Sequence, residues 1–268
     1  MLAGRVVLAS PGEDARMSAQ FILAQISDTH VRADDDGVSM RQLSRALQQA
    51  REYRADMILI SGDLANDERP DEYALFARAV ADPPAPLYVM PGNHDDRTRM
   101  REALASHKYL SASGPLSFVI EDFPVRVVCV DQIVPGETHG LFTEDQAAWL
   151  DRTLAQRPEK PTLVALHHPP FPTHDVLFDT IGLRNSELFA AVIRRHPQVA
   201  RVICGHHHRM AVGQVAHAPV IVAPSTSWMY GLALHEGQDI APKTAEQTGW
   251  VLHGWSAQKG FASVFMGL

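Results

Sequence analysis

Short apolar segments rich in β-branched residues alternate along most of the chain with segments whose apolar residues recur at helical spacing. The apolar segments predict strands buried on both faces, at residues 21–26, 57–60, 87–90, 125–130, 162–166, 199–204 and 220–223. The segments between them predict helices at residues 40–53, 70–81, 97–105, 143–154 and 185–195. This alternation predicts an α/β domain with parallel strands joined by right-handed crossovers.

The pattern changes after Cys204, where strands follow one another without helices. Residues 210–215, 220–223, 250–255 and 261–265 predict β-hairpins, and residues 231–248 form a polar loop between them. We therefore expect one domain over residues 21–268, with the C-terminal hairpins at about 210–268. Residues 1–20 are expected to be an N-terminal extension without a role in the fold, which leaves Met17 as an alternative to Met1 as the biological start.

Five polar clusters each directly follow a predicted strand. They are Ser27-Asp28-Thr29-His30, Ser61-Gly62-Asp63, Pro91-Gly92-Asn93-His94-Asp95, His167-His168-Pro169-Pro170 and Gly205-His206-His207-His208. In open α/β sheets, ligands bind at the carboxyl ends of the strands because the loops that leave them converge there. We therefore expect the five clusters to meet in space.

Composition and charge restrict the class of protein. The 268 residues are 46% hydrophobic and 21% charged, which is ordinary for a globular chain with a sizeable core. The net charge of −7, without a Lys/Arg run, argues against a nucleic-acid polymer as partner, and no apolar run approaches the ~20 residues of a membrane helix. Cys129 and Cys204 lie in apolar segments, so we expect buried reduced thiols and a cytoplasmic location.

The clusters supply a set of side chains that suits metal ions. The candidate ligands are two carboxylates, one amide and four imidazoles: Asp28, His30, Asp63, Asn93, His167, His206 and His208. Oxygen and imidazole ligands without cysteine favour Mn, Fe, Co or Zn over Ca and Mg, and they disfavour a structural zinc site. Seven ligands are too many for one ion, but they fit two divalent ions that share a bridging carboxylate. Such a centre would carry a small positive charge, which a singly charged phosphodiester would neutralise.

In this order, the clusters resemble the motifs of the calcineurin-like metallophosphoesterases. The motifs that carry the resemblance are Asp28-x-His30, Gly62-Asp63, Gly92-Asn93-His94-Asp95, His167 and Gly205-His206-x-His208. Asn66, Pro70 and Glu72-Tyr73 are similar to the branch that holds class III cyclic nucleotide phosphodiesterases and bacterial glycerophosphodiesterases. The resemblance implies a four-layer α/β sandwich of two mixed β-sheets flanked by helices, with a C-terminal β-hairpin extension.

The resemblance also implies how the ligands divide between two ions. One ion would be held by Asp28, His30 and His208, and the other by Asn93, His167 and His206, with Asp63 bridging them. Because Asn93 is a neutral ligand, we expect its ion to bind more weakly. His168 and His207, next to the ligands, are expected to support them rather than to coordinate.

Two further residues would carry the chemistry. By resemblance, His94 would lie beside the attacked phosphorus, where it stabilises the transition state or protonates the leaving alkoxide, and Asp95 would orient it. A metal-bound hydroxide would be the nucleophile. Trp228 and Tyr230 fall near the expected substrate side, where an aromatic ring can stack on a base.

We therefore expect a phosphoric diester hydrolase that uses two divalent ions and acts on a small phosphodiester, either a 3′,5′-cyclic nucleotide or a glycerophosphodiester. A phosphomonoesterase or nuclease of the same fold is the enzymatic alternative. A non-catalytic scaffold is less favoured because neither His94 nor any ligand is missing. A homo-oligomer is expected, with the apolar C-terminal strands as the interface.

Overall fold

The computed structural model describes residues 20–238 and 247–268, in which two β-sheets pack face to face and helices cover their outer faces. The strands are β1 (Phe21–Ile26), β2 (Met57–Ser61), β3 (Leu87–Met90), β4 (Phe118–Ile120), β5 (Arg126–Cys129), β6 (Gly140–Leu141), β7 (Thr162–Ala165), β8 (Leu183–Arg184), β9 (Val199–Cys204), β10 (Ala211–Val215), β11 (Ala218–Val222), β12 (Gly249–Ser256) and β13 (Gly260–Gly267). The helices are α1 (Val38–Glu52), α2 (Pro70–Ala79), α3 (Arg97–Ala103), α4 (Glu144–Ala155), α5 (Val176–Thr180) and α6 (Ser186–Arg194). The expected N-terminal extension lies outside the described residues except for Gln20, as does the 239–246 part of the expected polar loop.

The first sheet has the strand order β13-β12-β1-β2-β3. Strands β1, β2 and β3 are parallel, and β12 is antiparallel to β1. The predicted C-terminal hairpin is present, since β12 and β13 pair along their whole length from Gly249 with Gly267 to Ser256 with Gly260. The hairpin therefore extends the sheet that β1 begins.

The second sheet has the strand order β10-β11-β9-β7-β5-β4. Its four central strands are parallel, as predicted, while the outer strands β10 and β4 are antiparallel to their neighbours. Strands β6 and β8 form a separate short parallel pair. Both large sheets are thus mixed, which confirms the implied fold class and explains why the sequence after Cys204 lacks helices.

Three apolar cores separate the layers. The central core holds side chains from both sheets, such as Phe21, Met57, Val127 and Ile203, which are buried between them. An outer core joins the first sheet to α1, α2 and α3, and another joins the second sheet to α4 and α6. Because each central strand is covered on both faces, its sequence is continuously apolar rather than alternating. Burying each large side chain stabilises the fold by about 1.5–3 kcal/mol relative to exposure.

One buried glutamine connects the two sheets through hydrogen bonds. The Gln25 amide on β1 donates to the Cys204 carbonyl of the second sheet at 2.8 Å and to Ser61 Oγ on β2 at 3.0 Å. Its Oε1 lies 3.0 Å from His253 Nε2 on β12. Since every polar atom of the amide has a partner, its burial carries no unsatisfied group, and the bond to the Cys204 carbonyl links the two sheets.

The short elements are those that the apolar pattern does not predict. Strands β4, β6 and β8 and helix α5 have two to five residues each, too few for a period to emerge. The predicted capping box at the start of α4 is present, with Thr143 Oγ1 accepting from the Gln146 amide at 3.2 Å and Gln146 Oε1 accepting from the Thr143 amide at 2.7 Å. Cys129 and Cys204 are free and buried, as expected. No helix among the described residues is long and apolar enough to cross a membrane.

Candidate metal centre

Backbone hydrogen bonds join the strand ends that carry the polar clusters. The Asp28 amide donates to the Gly62 carbonyl at 3.0 Å, and the His30 amide donates to the Asp63 carbonyl at 2.9 Å. Across the two sheets, the His206 amide donates to the Asp28 carboxylate at 3.0 and 3.1 Å. The carboxyl ends of β1, β2 and β9 therefore meet at one edge of the sandwich, as the sequence predicts.

Four buried side chains form a group that could hold a metal ion. The ligand atoms of Asp28, His30, Asp63 and His208 all lie within 4.8 Å of one another. His30 Nε2 is 3.0 Å from His208 Nε2, and His208 Nε2 is 3.5 Å from Asp28 Oδ1. Imidazole and carboxylate groups packed this closely, away from water, match the ligand types of a transition-metal site.

The remaining candidate ligands adjoin this group on one side. His167 Nε2 lies 3.3 Å from Asp63 Oδ2, the same oxygen that lies 3.4 Å from His30 Nε2. Asn93 Oδ1 lies 2.9 Å from His206 Nδ1, and the rings of His206 and His167 are 5.4 Å apart. The structure thus brings all seven predicted ligands into one contiguous cluster, with the Asp63 carboxylate between its two halves.

The backbone of the cluster has an unusual conformation that the sequence did not reveal. Five of the candidate ligands have positive φ angles: Asp28 (51°), His30 (40°), Asp63 (53°), His206 (69°) and His208 (59°). Left-handed conformations cost a non-glycine residue on the order of 1 kcal/mol each and persist only where the surroundings impose them. Strain concentrated on ligands indicates that side-chain placement here takes precedence over local stability.

Two glycines allow the strand ends to approach closely. A Cβ atom on Gly62, whose φ is 108°, would fall against the His167 ring, and one on Gly92 would fall against the Asp63 carboxylate. The motif glycines are therefore needed for close approach to the ligands.

Carbonyl groups orient two of the imidazoles. His167 Nδ1 donates to the Ser61 carbonyl at 2.8 Å, and His208 Nδ1 donates to the Trp228 carbonyl at 2.9 Å. Each bond fixes the tautomer that leaves Nε2 as the atom facing the centre of the cluster. His167 Nε2 and His206 Nε2 are buried without a hydrogen-bond partner, which is the state expected of ligand atoms.

Burial and neighbouring charges shift the pKa values of the cluster in opposite directions. Burial lowers the pKa of His208 to about 3 and raises that of Asp28 to about 7. Burial alone would also lower the pKa of His167, but the Asp63 and Asp28 carboxylates outweigh it and raise that pKa to about 9. The imidazole of His167 is therefore protonated at neutral pH unless a cation takes the place of its proton.

His94 lies beside this cluster, and its ring is hydrogen-bonded to a backbone carbonyl and not to Asp95. His94 Nδ1 donates to the Asn66 carbonyl at 2.7 Å, and its ring is 4.9 Å from that of His30. Asp95 instead accepts from the amides of Leu64, Ala65 and Gly92 and from a tyrosine hydroxyl. Asp95, which was expected to orient His94, bonds to loop backbone rather than to the imidazole, so its effect on His94 would pass through that backbone.

His168 and His207, which lie next to candidate ligands and were expected to support them, differ in their hydrogen-bond partners. His168 has partners on both nitrogens, Gln132 Nε2 at 2.7 Å and the Thr138 carbonyl at 3.0 Å, so its ring is a support for His206, 4.1 Å away. His207 lies 3.8 Å from Asp175 Oδ2 and 4.8 Å, ring to ring, from Phe178.

Aromatic rings form the wall on the other side of the cluster. Trp228 packs on His30, with 4.4 Å between ring centroids, and Tyr230 lies 5.0 Å from the His208 ring. A cleft of about 180 Å³ opens beside His206, with Phe171 and Phe178 among its walls. The sequence placed Trp228 and Tyr230 near the substrate side, but it did not indicate Phe178, since α5 was not predicted.

Comparisons with known proteins agree with this geometry. The sequence model of the family described as calcineurin-like phosphoesterase matches residues 22–210. The chain belongs to the calcineurin-like phosphoesterase family. A glycerophosphodiester phosphodiesterase of Enterobacter lignolyticus is 33% identical over 216 residues, which is 77% of this chain and 77% of the relative. A 3′,5′-cyclic adenosine monophosphate phosphodiesterase of Escherichia coli is 33% identical over 198 residues, or 71% of this chain and 70% of the relative.

A solved structure supports the fold of this calcineurin-like phosphoesterase. A dimetal phosphatase from Danio rerio superimposes with a TM-score of 0.64 at 15% identity, covering 92% of this chain and 99% of that chain. The predicted family and fold are confirmed. Because the named sequence relatives are phosphodiesterases, a metal-dependent phosphodiester hydrolase is favoured over the phosphomonoesterase and nuclease alternatives.

We predict that metal binding releases protons at neutral pH. With a pKa of about 9, His167 carries a proton at pH 7 that an ion must displace, so affinity should rise as the pH rises towards that value. Calorimetric titration with Mn²⁺ in buffers of different ionisation enthalpy should give a release of about one proton or more near pH 7.

The exposed histidine variant His217→Gln should show the same release as the wild type, because His217 lies outside the cluster. An affinity that is independent of pH between about 6 and 9 would contradict the protonated state of His167.

Proposed function

We propose that this calcineurin-like phosphoesterase hydrolyses small phosphodiesters, with a 3′,5′-cyclic nucleotide and a glycerophosphodiester as the two candidate substrate classes. The observation that carries the proposal is the position of the Asp63 carboxylate, whose Oδ2 lies 3.4 Å from His30 Nε2 and 3.3 Å from His167 Nε2. A carboxylate between two groups of ligands is the arrangement that a pair of divalent ions requires. The names of the sequence relatives supply the substrate classes.

The donor set fits two ions of the Mn, Fe, Co or Zn type. One would be held by Asp28, His30 and His208 and the other by Asn93, His167 and His206, with Asp63 as the shared ligand. The unpartnered Nε2 atoms of His167 and His206 support this division. Bound ions would polarise a phosphoryl oxygen and make water a stronger acid.

His94 would act directly on the substrate. Its Nδ1 proton is committed to the Asn66 carbonyl, so Nε2 is the nitrogen left for a phosphoryl or leaving oxygen. Burial would lower the pKa of this imidazole, but Asp63 and the Asn66 carbonyl outweigh burial and raise it. A raised pKa favours the form that carries a proton on Nε2, which is the form a general acid needs.

The lining of the cleft beside His206 indicates a substrate with a small, weakly charged ester group. Among the described residues that line it are Pro169, Phe171, Phe178 and Leu183, and none of its lining residues is a lysine or an arginine. A polyanion would need cationic side chains along its path. A single phosphodiester with an apolar or sugar-like substituent is the better match, and no nucleic-acid polymer is proposed as substrate.

The primary test is hydrolysis of bis(p-nitrophenyl) phosphate and of p-nitrophenyl phosphate by metal-free protein reconstituted with Mn²⁺. We expect metal-dependent activity that prefers the diester and falls by about 10²-fold in His94→Ala, because the variant loses its acid and its transition-state contact. His217→Ala is the matched control and should retain full activity.

Cyclic AMP and a glycerophosphodiester, assayed in parallel, should separate the two candidate classes. Preference for the monoester would replace the proposal with a phosphomonoesterase. Two bound ions without activity on any ester would favour a scaffold.

We predict that the two ions bind with unequal affinity. Asn93 contributes no charge, whereas the group of Asp28, His30 and His208 contributes a carboxylate. Mn²⁺ titration should therefore show a tight step and a weaker step, and Asn93→Asp should bring the weaker step closer to the tight one. Two equally tight ions in the wild type would refute the asymmetry.

We propose a cytoplasmic location because both cysteines are free thiols. Cys129 and Cys204 are buried free thiols, and a reducing compartment keeps such thiols free.

We also propose that two copies pair through β13, the outer strand of the first sheet. Its eight residues hold neither proline nor charge, and Val264 and Phe265 are 51% and 37% exposed. Such an edge is a template for another strand, and natural monomers usually protect it with a charge. Sedimentation analysis should show a dimer that Val264→Lys dissociates, and a wild-type monomer at all concentrations would refute the pairing.

A further inference from the structure

The Asn66 carbonyl that holds His94 belongs to a loop between β2 and α2, and two carboxylates hold this loop, Glu72 of α2 after Asn66 and Asp95 before it. Beyond Asn66, the Glu72 carboxylate accepts from the Asp67 amide at 2.9 Å and from the Arg69 amide at 3.2 Å. Before Asn66, the Leu64 and Ala65 amides donate to the Asp95 carboxylate at 3.1 and 3.4 Å. The Asn66 amide itself donates to the Val31 carbonyl at 3.2 Å. Glu72 and Asp95 therefore contribute to the position of the Asn66 carbonyl by holding the residues on either side of it.

Tyr73 is the side chain of α2 that reaches Asp95. Its ring is 1% exposed in the outer core, and its hydroxyl donates to Asp95 Oδ1 at 3.1 Å. The oxygen of the Tyr73 hydroxyl accepts from the Asp96 amide at 2.8 Å. One buried hydroxyl thus connects the carboxylate below the Leu64–Asn66 loop with the backbone that follows His94.

The arrangement constrains His94 at both of its ends. The His94 ring is fixed through the Asn66 carbonyl, and its backbone is held between the Gly92 amide, which donates to Asp95 at 2.9 Å, and the Asp96 amide, which donates to Tyr73. A general acid must hold its proton within a few tenths of an ångström of the leaving oxygen, so small displacements of either end reduce its efficiency.

We propose that Tyr73 is a positioning residue for His94 and acts through Asp95 and the Asn66 carbonyl. The inference rests on the proposed function, since it assigns a role within the same reaction. Burial and the Asp95 carboxylate both raise the pKa of the Tyr73 hydroxyl, so it remains a hydrogen-bond donor throughout the working range. Removing only this hydroxyl should leave the ring packed in the outer core while it removes both hydrogen bonds, to Asp95 and from the Asp96 amide.

The test is a double-mutant cycle of Tyr73→Phe and His94→Ala, assayed on bis(p-nitrophenyl) phosphate with Mn²⁺. In the wild-type background, Tyr73→Phe should lower kcat about 10-fold with KM changed by less than about 3-fold. In the His94→Ala background, the same change should cost less than about 2-fold, because the residue through which Tyr73 acts is already absent. A general loss of stability would lower activity equally in both backgrounds.

Tyr109→Phe is the matched control. It also removes a hydroxyl bonded to a backbone amide, that of Val89 at 2.8 Å, but it does not touch the Asn66 loop. It should leave kcat within about 2-fold of the wild type in both backgrounds. Mn²⁺ affinity, measured by calorimetry, should stay within about 3-fold in Tyr73→Phe, since none of the seven candidate ligands bonds to this hydroxyl.

Equal losses in the two backgrounds, no loss in either, or a loss that excess Mn²⁺ restores would each overturn the proposal. A wild type that does not hydrolyse the diester would overturn the proposed function itself, and this outcome is separate from an active wild type that tolerates Tyr73→Phe.

Discussion

The burial of two carboxylates among imidazoles is the constraint on which the rest of the structure depends. Asp28 and Asp63 are both almost wholly buried, which is costly unless each charge is neutralised or hydrogen-bonded. The fold holds them in place with amides from other strands: Asp28 accepts from His206, and Asp63 accepts from His94 at 2.9 Å. The same arrangement requires left-handed backbone at five candidate ligands and glycines where the strand ends approach most closely. These conformations are locally unfavourable, and the rigid strands on both sides hold them in place.

The long strands and most helices could be predicted from sequence because their apolar pattern reflects burial directly. Strand β1 was predicted with its observed ends, since Phe21–Ile26 is buried on both faces. The short pair β6 and β8 and the helix α5 could not be predicted, because two to five residues contain no period and their stability comes from tertiary contacts. That β12 returns to pair with β1 rather than with β11 is likewise set by packing between the layers and not by local sequence.

For the candidate site too, the sequence predicted some features and not others. The seven candidate ligands could be predicted because each follows a strand, and the structure places their side chains together. The groups that orient the candidate ligands and His94 could not be predicted from the sequence. Most of them are backbone carbonyls, such as those of Ser61 and Asn66, and a backbone carbonyl has no sequence signature. Asp95 illustrates the limit. The resemblance implied that Asp95 orients His94, but the Asp95 carboxylate bonds to the Gly92 amide of its own loop and to the Leu64 amide of the loop after β2.

The position of β1 in the first sheet has a consequence for the order of folding during synthesis. Strand β1 carries Asp28 and His30 at its end, yet one of its two neighbours, β12, is made long after β1 itself. While the chain is still growing on the ribosome, β1 can pair only with β2, and its other edge is exposed. The long sequence separation between β1 and β12 delays this pairing, so the strand that presents Asp28 and His30 gains its second neighbour only after all the strands of the second sheet have been made.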